Sequence, residues 1–345
     1  MTSRVLLSGK ALKRLCVAAG TAALALAASA CTTSSADSAG SGSAGSANLT
    51  NAEPAGPLEK THLTVGALAV NDDAPLYLAI KDGLFQQAGL TVTPLPVAAS
   101  TQAIPDMLRG TVDIMAGANY VSFLQAEDKG VVSFKILADA SHCQTTTFEV
   151  MALPNSGISG PSSLEGRSVA VNLTNNVQTL TLNSVLQSNG VSTSSVRYVQ
   201  IPFPDMVAAL KAHKVDAIST IEPYITGSEE QDGAVPVLSQ CTGPTANFPM
   251  SGYFATAAWT RKYPNTAKAF ERAIDEAQNL AEGNQQAVRS ILPAYTKIDK
   301  QTADVISMST YPDVVSATAL QQVAVMMRTA GMLSKPLSVQ SLIAG

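Results

Sequence analysis

Apolar residues recur along most of the chain in short runs of two kinds, and the kinds alternate. From Leu58 onward the run THLTVGAL, rich in β-branched residues, reads as a strand. Asp72-Asp73-Ala74-Pro75 follows with an acidic cap and a proline for the first helical turn. It opens a helix whose apolar face is Leu76, Tyr77, Ile80 and Leu84, with Gly83 and Gly89 punctuating its end. The same grammar continues through the strand LTVTPLPV, a helix from Thr101 to Arg109, the strand TVDIMAG, a helix from Asn119 to Lys129 and the strand VSFKILADA.

A second block repeats this order. After FEVMALP and the turn-rich NSGISGPSSLEG come the strand SVAVNL, a helix from about Asn175 to Asn189, the strand VRYVQIP, a helix from Phe203 to His213 and the strand VDAIST. Each block carries a strand, then Pro, Asp-Met and helix, and then a Val-Asp pair, Val112-Asp113 or Val215-Asp216, ahead of the next strand. Strands alternating with helices predict an α/β fold with parallel strands, and the repeat is either shared α/β grammar alone or two lobes built on one plan. A further strand, YFATAAW, leads into a long helix from Pro264 to Glu282 and more helical segments.

The N-terminus has a different pattern. Arg4, Lys10, Lys13 and Arg14 precede an apolar run from Leu15 to Ala30 that is short for a membrane span and ends in Ala28-Ser29-Ala30-Cys31. This reads as a secretory signal over residues 1–30, with small residues before a cysteine as in a bacterial lipobox, so Cys31 is the candidate lipidation site. A plain secretory cleavage and an uncleaved anchor are the alternatives. Residues 31–57 hold almost nothing to bury and read as a tether, with a root-mean-square span of roughly 30 Å.

Composition sharpens the picture. The 345 residues are 46% hydrophobic and 14% charged, which suits a globular body and excludes a disordered chain. The net charge is −4, and removing the signal makes the exported protein four charges more negative. With no basic tract beyond the signal, nucleic acid is not an expected partner. Of four cysteines, Cys143 and Cys241 remain after the signal and the lipid site are set aside. In an oxidising compartment a disulfide is their default state, while His142 beside Cys143 leaves a Cys-His catalytic reading open.

The stretch PLYLAIKDGLFQQAGLTVTPLPV, through Pro75, Leu76, Tyr77, Ala79, Gly83, Phe85, Gly89, Leu90 and Val92, resembles the extracytoplasmic solute-binding proteins of bacterial ABC importers. The similarity is to the group for nitrate, sulfonates, taurine and pyrimidine precursors of thiamine. Leu164-Glu165-Gly166-Arg167-Ser168-Val169-Ala170-Val171 and Glu222-Pro223-Tyr224 are further matches, with Ile221 where the family has an aromatic residue. The resemblance implies a type II periplasmic-binding-protein fold, two α/β lobes joined by two crossover strands around a ligand cleft. The crossovers map to FEVMALP and MSGYFATAAW, lobe I to residues 58–148 plus 251–345, and lobe II to residues 149–250. A Cys143–Cys241 disulfide would then sit near the hinge. The implied partners are a small-molecule ligand and the permease and ATPase subunits of an importer, reached by a monomer anchored on the extracytoplasmic face of the membrane.

Ligands of open α/β sheets gather beyond the carboxyl ends of the strands. That rule selects Asn71, Asp72 and Asp73 after the first strand, Ser100 and Thr101 after the second, and Asn119 and Tyr120 after the third. The second block contributes Thr174, Asn175 and Asn176, then Glu222 and Tyr224. Each has a bland alternative, Asp73, Asn119 and Thr174 as helix caps above all. Asp72, Asp73 and Glu222 stand in this set with no basic residue, which favours a neutral or amine-bearing ligand, such as an aminopyrimidine, over nitrate. A sulfonate held by helix N-termini is the alternative. No G-x-S-x-G, H-E-x-x-H or Walker motif is present, and the Cys-rich motif of the fungal pyrimidine synthases that resemble this family is lacking. No metal, cofactor or catalytic residue is expected; an exported enzyme or a sensor on the same fold is the rival reading.

Overall fold

The computed structural model describes residues 56–344. The signal, Cys31 and the tether as far as residue 55 lie outside the described residues. Ten strands form two sheets. They are β1 (His62–Ala67), β2 (Thr91–Pro96), β3 (Ile114–Asn119), β4 (Phe134–His142), β5 (Phe148–Ala152), β6 (Ser168–Val171), β7 (Arg197–Gln200), β8 (Ala217–Ile221), β9 (Val235–Ser239) and β10 (Pro249–Thr256).

The strand orders, β2-β1-β3-β10-β4 and β7-β6-β8-β5-β9, are one plan used twice. In each sheet three parallel strands meet one antiparallel strand that arrives from the other half: β5 follows β4 directly, and β10 returns after β9. These are the two crossovers of a type II periplasmic-binding-protein fold, in the segments FEVMALP and MSGYFATAAW. The prolines of β2 and β9 are tolerated because both strands are sheet edges.

The repeated Val-Asp pairs do the same structural job twice. The Asp113 carboxylate accepts the Thr64 N–H at 2.9 Å, and Asp113 N–H donates to the Thr64 carbonyl at 2.9 Å. In the second half Asp216 accepts the Ser168 N–H at 2.7 Å and donates its own N–H to the Ser168 carbonyl at 3.0 Å. Each carboxylate thus closes the lower end of a parallel ladder, where a backbone donor would otherwise go unpaired. Asp113 also holds Lys60 at 2.5 Å and the Trp259 indole at 2.7 Å, which makes the single tryptophan a packing residue.

The sequence reading differs from the structure in several elements: it lacks β9 and the helix Tyr224–Asp232, and it runs Leu84 into the helix Ala74–Lys81, whereas Leu84 opens a separate helix, Leu84–Gln87, after Gly83. YFATAAW is not a strand throughout: β10 stops at Thr256, whose hydroxyl caps the Trp259 N–H at 3.1 Å and starts the helix Ala257–Lys262. Among the described residues, Phe134 of β4, Phe254 of β10 and Phe123 pack together in one apolar cluster. Asn51–Gly345 is a compact unit with its own core. The Cys143–Cys241 disulfide joins the β4–β5 connection to the β9–β10 connection, so it staples the two hinge strands together.

Candidate ligand cleft

The carboxyl ends of β1, β3, β6 and β8 point toward one another, and between them lies a cavity of about 40 Å³, room for about three water-sized groups. Of the sequence-derived candidates, Asp72, Ser100, Asn119 and Asn176 line it. Two of these asparagines work twice. Asn119 Oδ1 caps the helix Tyr120–Asp128 by accepting the Ser122 N–H at 2.8 Å, while its amide donates to Ser100 Oγ at 3.1 Å. Asn176 Oδ1 accepts the N–H groups of Gln178 and Thr179 at the start of the helix Val177–Ser188, leaving its amide to meet Gln178 Oε1 at 2.9 Å. Each of these side chains thus caps a helix and also lines the cavity.

Asp72 is the charged group of the wall. Its Oδ2 accepts the Ser251 hydroxyl at 2.9 Å, and Ser251 is 3.3 Å from Ser141. Burial pushes the Asp72 carboxyl above its ordinary range, the Ser251 and Ser141 hydroxyls oppose this, and nearby Asp139 adds to it. Asp139 is itself buried, takes the Tyr120 hydroxyl at 3.1 Å and pairs with His142 Nε2 at 3.0 Å. Tyr120, a candidate from the sequence, thus stands behind the wall as the partner of Asp139. Among the described residues no Lys or Arg lines the cavity.

Asp73 also lies behind the wall. Its Oδ2 accepts the Leu68 N–H at 2.5 Å, it does not cap the following helix, and its other oxygen presses against Gly117. Gly117 has φ 56°, and a Cβ there would collide with the Asp73 carboxylate, so glycine is required for both reasons. Thr101 is half-exposed in the turn Ser100–Ala103, and Thr174 is exposed; neither lines the cavity.

The remaining candidates form a seam where the two halves meet. Asn71 N–H donates to the Glu222 carbonyl at 3.2 Å, and the Tyr224 hydroxyl donates to the Ala69 carbonyl at 3.0 Å. The Asn175 carbonyl accepts the Gln125 amide at 2.6 Å, and the Asn172 amide donates to the Ala98 carbonyl at 3.1 Å. The Glu222 carboxylate accepts Ser307 N–H at 3.1 Å from the opposite half and Thr226 Oγ at 2.9 Å from its own. Beside it Glu230 accepts the Thr302 hydroxyl at 2.6 Å. These bonds describe lobes drawn together, with Tyr224 stacked parallel to the cavity residue Phe203 at 5.9 Å between ring centres.

Burial pushes the Glu222 carboxyl up from 4.5 to about 7, against the bonds from Ser307 and Thr226 and with the help of Glu229. Glu149, near Glu229 and Glu222, rises to about 7 for the same reason. A raised carboxyl stabilises the assembled form below the ordinary value of about 4.5 and loses that contribution as pH rises through about 7. Unfolding measured from pH 5 to pH 8 is expected to show stability falling with pH. Glu222→Gln is expected to remove of order 3 kcal/mol of that change, leaving the part due to the other raised carboxyls, Glu149, Glu271 and Asp275. An unchanged slope in the variant would contradict the assignment.

Sequence reasoning missed Asn172, Gln178, Ser251 and the aromatic walls Phe148 and Phe203. Gln178 braces the loop after β6 by accepting Asn172 N–H at 2.7 Å and donating to the Ser219 carbonyl at 2.6 Å. A search confined to loops passed over it because it is already inside a helix. Ser251 reaches the site on the returning crossover strand, for which no local signal exists.

The chain matches no curated protein sequence. A family model described as NMT1/THI5 like matches residues 71–288. Solved structures share the fold at low identity. The alkanesulfonate-binding protein SsuA from Xanthomonas axonopodis pv. citri, bound to MOPS, superposes with a TM-score of 0.71 at 15% identity, over 84% of this chain and 99% of that one. The periplasmic aliphatic sulphonate binding protein SsuA from Escherichia coli gives 0.65 at 17% identity, over 83% and 98%. The periplasmic nitrate-binding protein NrtA from Synechocystis PCC 6803 gives 0.70 at 16% identity, over 84% and 87%.

Proposed function

The chain belongs to the NMT1/THI5-like family, and from that premise we propose that it is the extracytoplasmic solute-binding component of an ABC importer, held to the membrane by a lipid on Cys31. Its solute is a small neutral or amine-bearing molecule, an aminopyrimidine being the type, delivered to a permease after the lobes close. The importer role draws support from the two-lobe fold shared with binding proteins for alkanesulfonate and nitrate. One observation carries the ligand class: a buried carboxylate, Asp72, stands in the cavity wall with no Lys or Arg among the described lining residues. A carboxylate so placed opposes an anion and is relieved by a positive or hydrogen-donating group.

In this reading Asp72 receives the amine, Asn119, Asn176 and Ser251 orient the solute, and Phe148 and Phe203 supply apolar faces. Solute access requires the Asn172–Ala98 and Gln125–Asn175 bonds to part, since they span the cleft. Closure over the solute then follows from its contacts with both lobes, because only differential affinity for the closed form can shift the equilibrium. Among the described residues no group of three His, Cys, Asp or Glu is arranged to hold a metal.

A thermal-shift panel tests this directly. Heteroaromatic and aliphatic amines are expected to raise the melting temperature with dose, by the equivalent of about 2.7 kcal/mol at a hundred times the dissociation constant. Nitrate, taurine and alkanesulfonates serve as comparators. A response to nitrate or a simple sulfonate with none to any amine would overturn the ligand class.

A further inference from the structure

The described chain begins at Gly56, and its first residues are pinned to the start of the helix Pro264–Gly283. The Asn265 amide donates to the Pro57 carbonyl at 3.2 Å, and the Glu59 carboxylate accepts the N–H groups of Asn265 and Thr266 at 3.1 and 3.0 Å. The point where the tether joins the body is therefore fixed on one face.

That face is cationic. Arg261, Lys262 and Lys268 are exposed, and among the described residues none of the three pairs with a carboxylate. Lys135 joins them: with Arg261, Pro264, Lys268 and Glu271 it lines a groove of about 240 Å³. Burial, helped by Asp275 and opposed by Lys268, pushes the Glu271 carboxyl up to about 8, so the acid of the groove offsets little of this charge at neutral pH, while Glu59, the other acid on this face, is engaged by the Asn265 and Thr266 N–H groups. The half-buried ring of Tyr263 lies between two ammonium groups, Lys262 at 5.0 Å and Lys60 at 6.0 Å from its centre. A tyrosine flanked by lysines is the combination that settles at the headgroup level of a bilayer.

The rest of the molecule has the opposite sign. The chain carries a net charge of −4 even with its four N-terminal cations counted. An anionic surface would repel most of the body and attract this patch, which gives attraction a direction as well as a strength.

We propose that the face built from Lys135, Arg261, Lys262, Tyr263 and Lys268 is a docking surface for an anionic phospholipid membrane. It orients the body with its tether side toward the bilayer. Weak contacts suffice if residues 31–57 act as the lipid-anchored tether read from the sequence, because a span of roughly 30 Å keeps the patch at high effective concentration near the surface. The docking itself does not depend on the identity of the solute or on lipidation of Cys31.

Residues 51–345, which form a compact unit with their own core, are suited to the test without the lipid. Co-sedimentation with vesicles of phosphatidylglycerol and phosphatidylcholine, against pure phosphatidylcholine, is expected to show binding to the anionic vesicles only. Raising salt from about 20 mM to about 500 mM is expected to abolish it by screening. At about fivefold per cation, R261E/K262E/K268E is expected to lower the partition coefficient roughly a hundredfold or more, and R261Q or K268Q alone about fivefold. R197E/K214E/K297E, which reverses exposed cations outside the patch, is expected to change it less than about threefold. Failure to bind anionic vesicles, or equal binding by the patch variants and the parent, would overturn the proposal and leave the solute-binding reading untouched.

Discussion

Replacing Asp72 by Asn is expected to weaken solute binding about a hundredfold while making the solute-free protein more stable. The two effects have one origin. Asp72 is buried, its carboxyl is raised mainly by that burial, and Asp139 lies close enough to add repulsion. An ionised carboxylate in that position costs free energy until a cationic or hydrogen-donating group arrives. A charge-assisted hydrogen bond contributes about 1.5–3 kcal/mol, so its loss is read in a titration as a drop of roughly one to two orders of magnitude. Asn keeps an acceptor for the Ser251 hydroxyl and removes the charge, for an expected gain of about 1 kcal/mol in the solute-free form.

The pH dependence separates this from a packing effect. A carboxyl raised in the folded state contributes stability below its ordinary value of 3.8 and loses it as pH rises through the folded value. The stability gain of D72N is therefore expected at neutral pH and should vanish toward about pH 3. Amine binding by the parent protein is expected to strengthen as pH rises and Asp72 ionises, and D72N should lack that rise. Denaturant unfolding and calorimetric titration over the same pH series check both. A variant with unchanged affinity would show that Asp72 does not receive the solute.

Removal of the disulfide as C143S/C241S carries the second large effect, an expected loss of about 4 kcal/mol. The bond closes a loop with a sequence separation of 98 residues, and in the chain-entropy model a loop of that length removes much of the freedom of the unfolded ensemble. It also joins the two hinge connections side by side, so its loss frees one to twist against the other. Urea unfolding of the parent with and without reductant, beside the double serine variant, measures the cost. A difference under about 1 kcal/mol would mean that the surrounding packing already holds the hinge.

Much of the fold was legible before any coordinates. The two-block order of strands and helices rests on local patterns that burial then enforces, and the crossover segments FEVMALP and MSGYFATAAW followed from the family resemblance; that the Val-Asp pairs close two parallel ladders, through Thr64 and Ser168, only the fold shows. The helix Tyr224–Asp232 and β9 were not read from the sequence at all, and Ala257-Ala258-Trp259 went from strand to helix because the Thr256 hydroxyl supplies a cap. Three apolar residues are too few for periodicity to show that switch.

The cleft was legible only in outline. Of the residues selected by the rule that ligands gather beyond the carboxyl ends of strands, Asp72, Ser100, Asn119 and Asn176 stand on the cavity wall. The same rule could not separate them from Asn71, Asn175, Glu222 and Tyr224, which follow strands equally but meet the opposite half in the seam. Which strand end faces the cavity and which faces the other lobe depends on how the lobes come together.

What the sequence by itself determined is most of the elements, their doubled order, the pairing available to Cys143 and Cys241, and the acidic sign of the candidate residues. These follow from periodicity, turn chemistry and composition, all properties of neighbours along the chain. Only the tertiary structure decided that Ser251 comes to Asp72 across a separation of 179 residues, that Gln178 braces the wall from inside a helix, and that Glu222 closes a seam with Ser307. Such contacts are set by the packing of two sheets and the approach of two lobes, and no local pattern encodes that geometry.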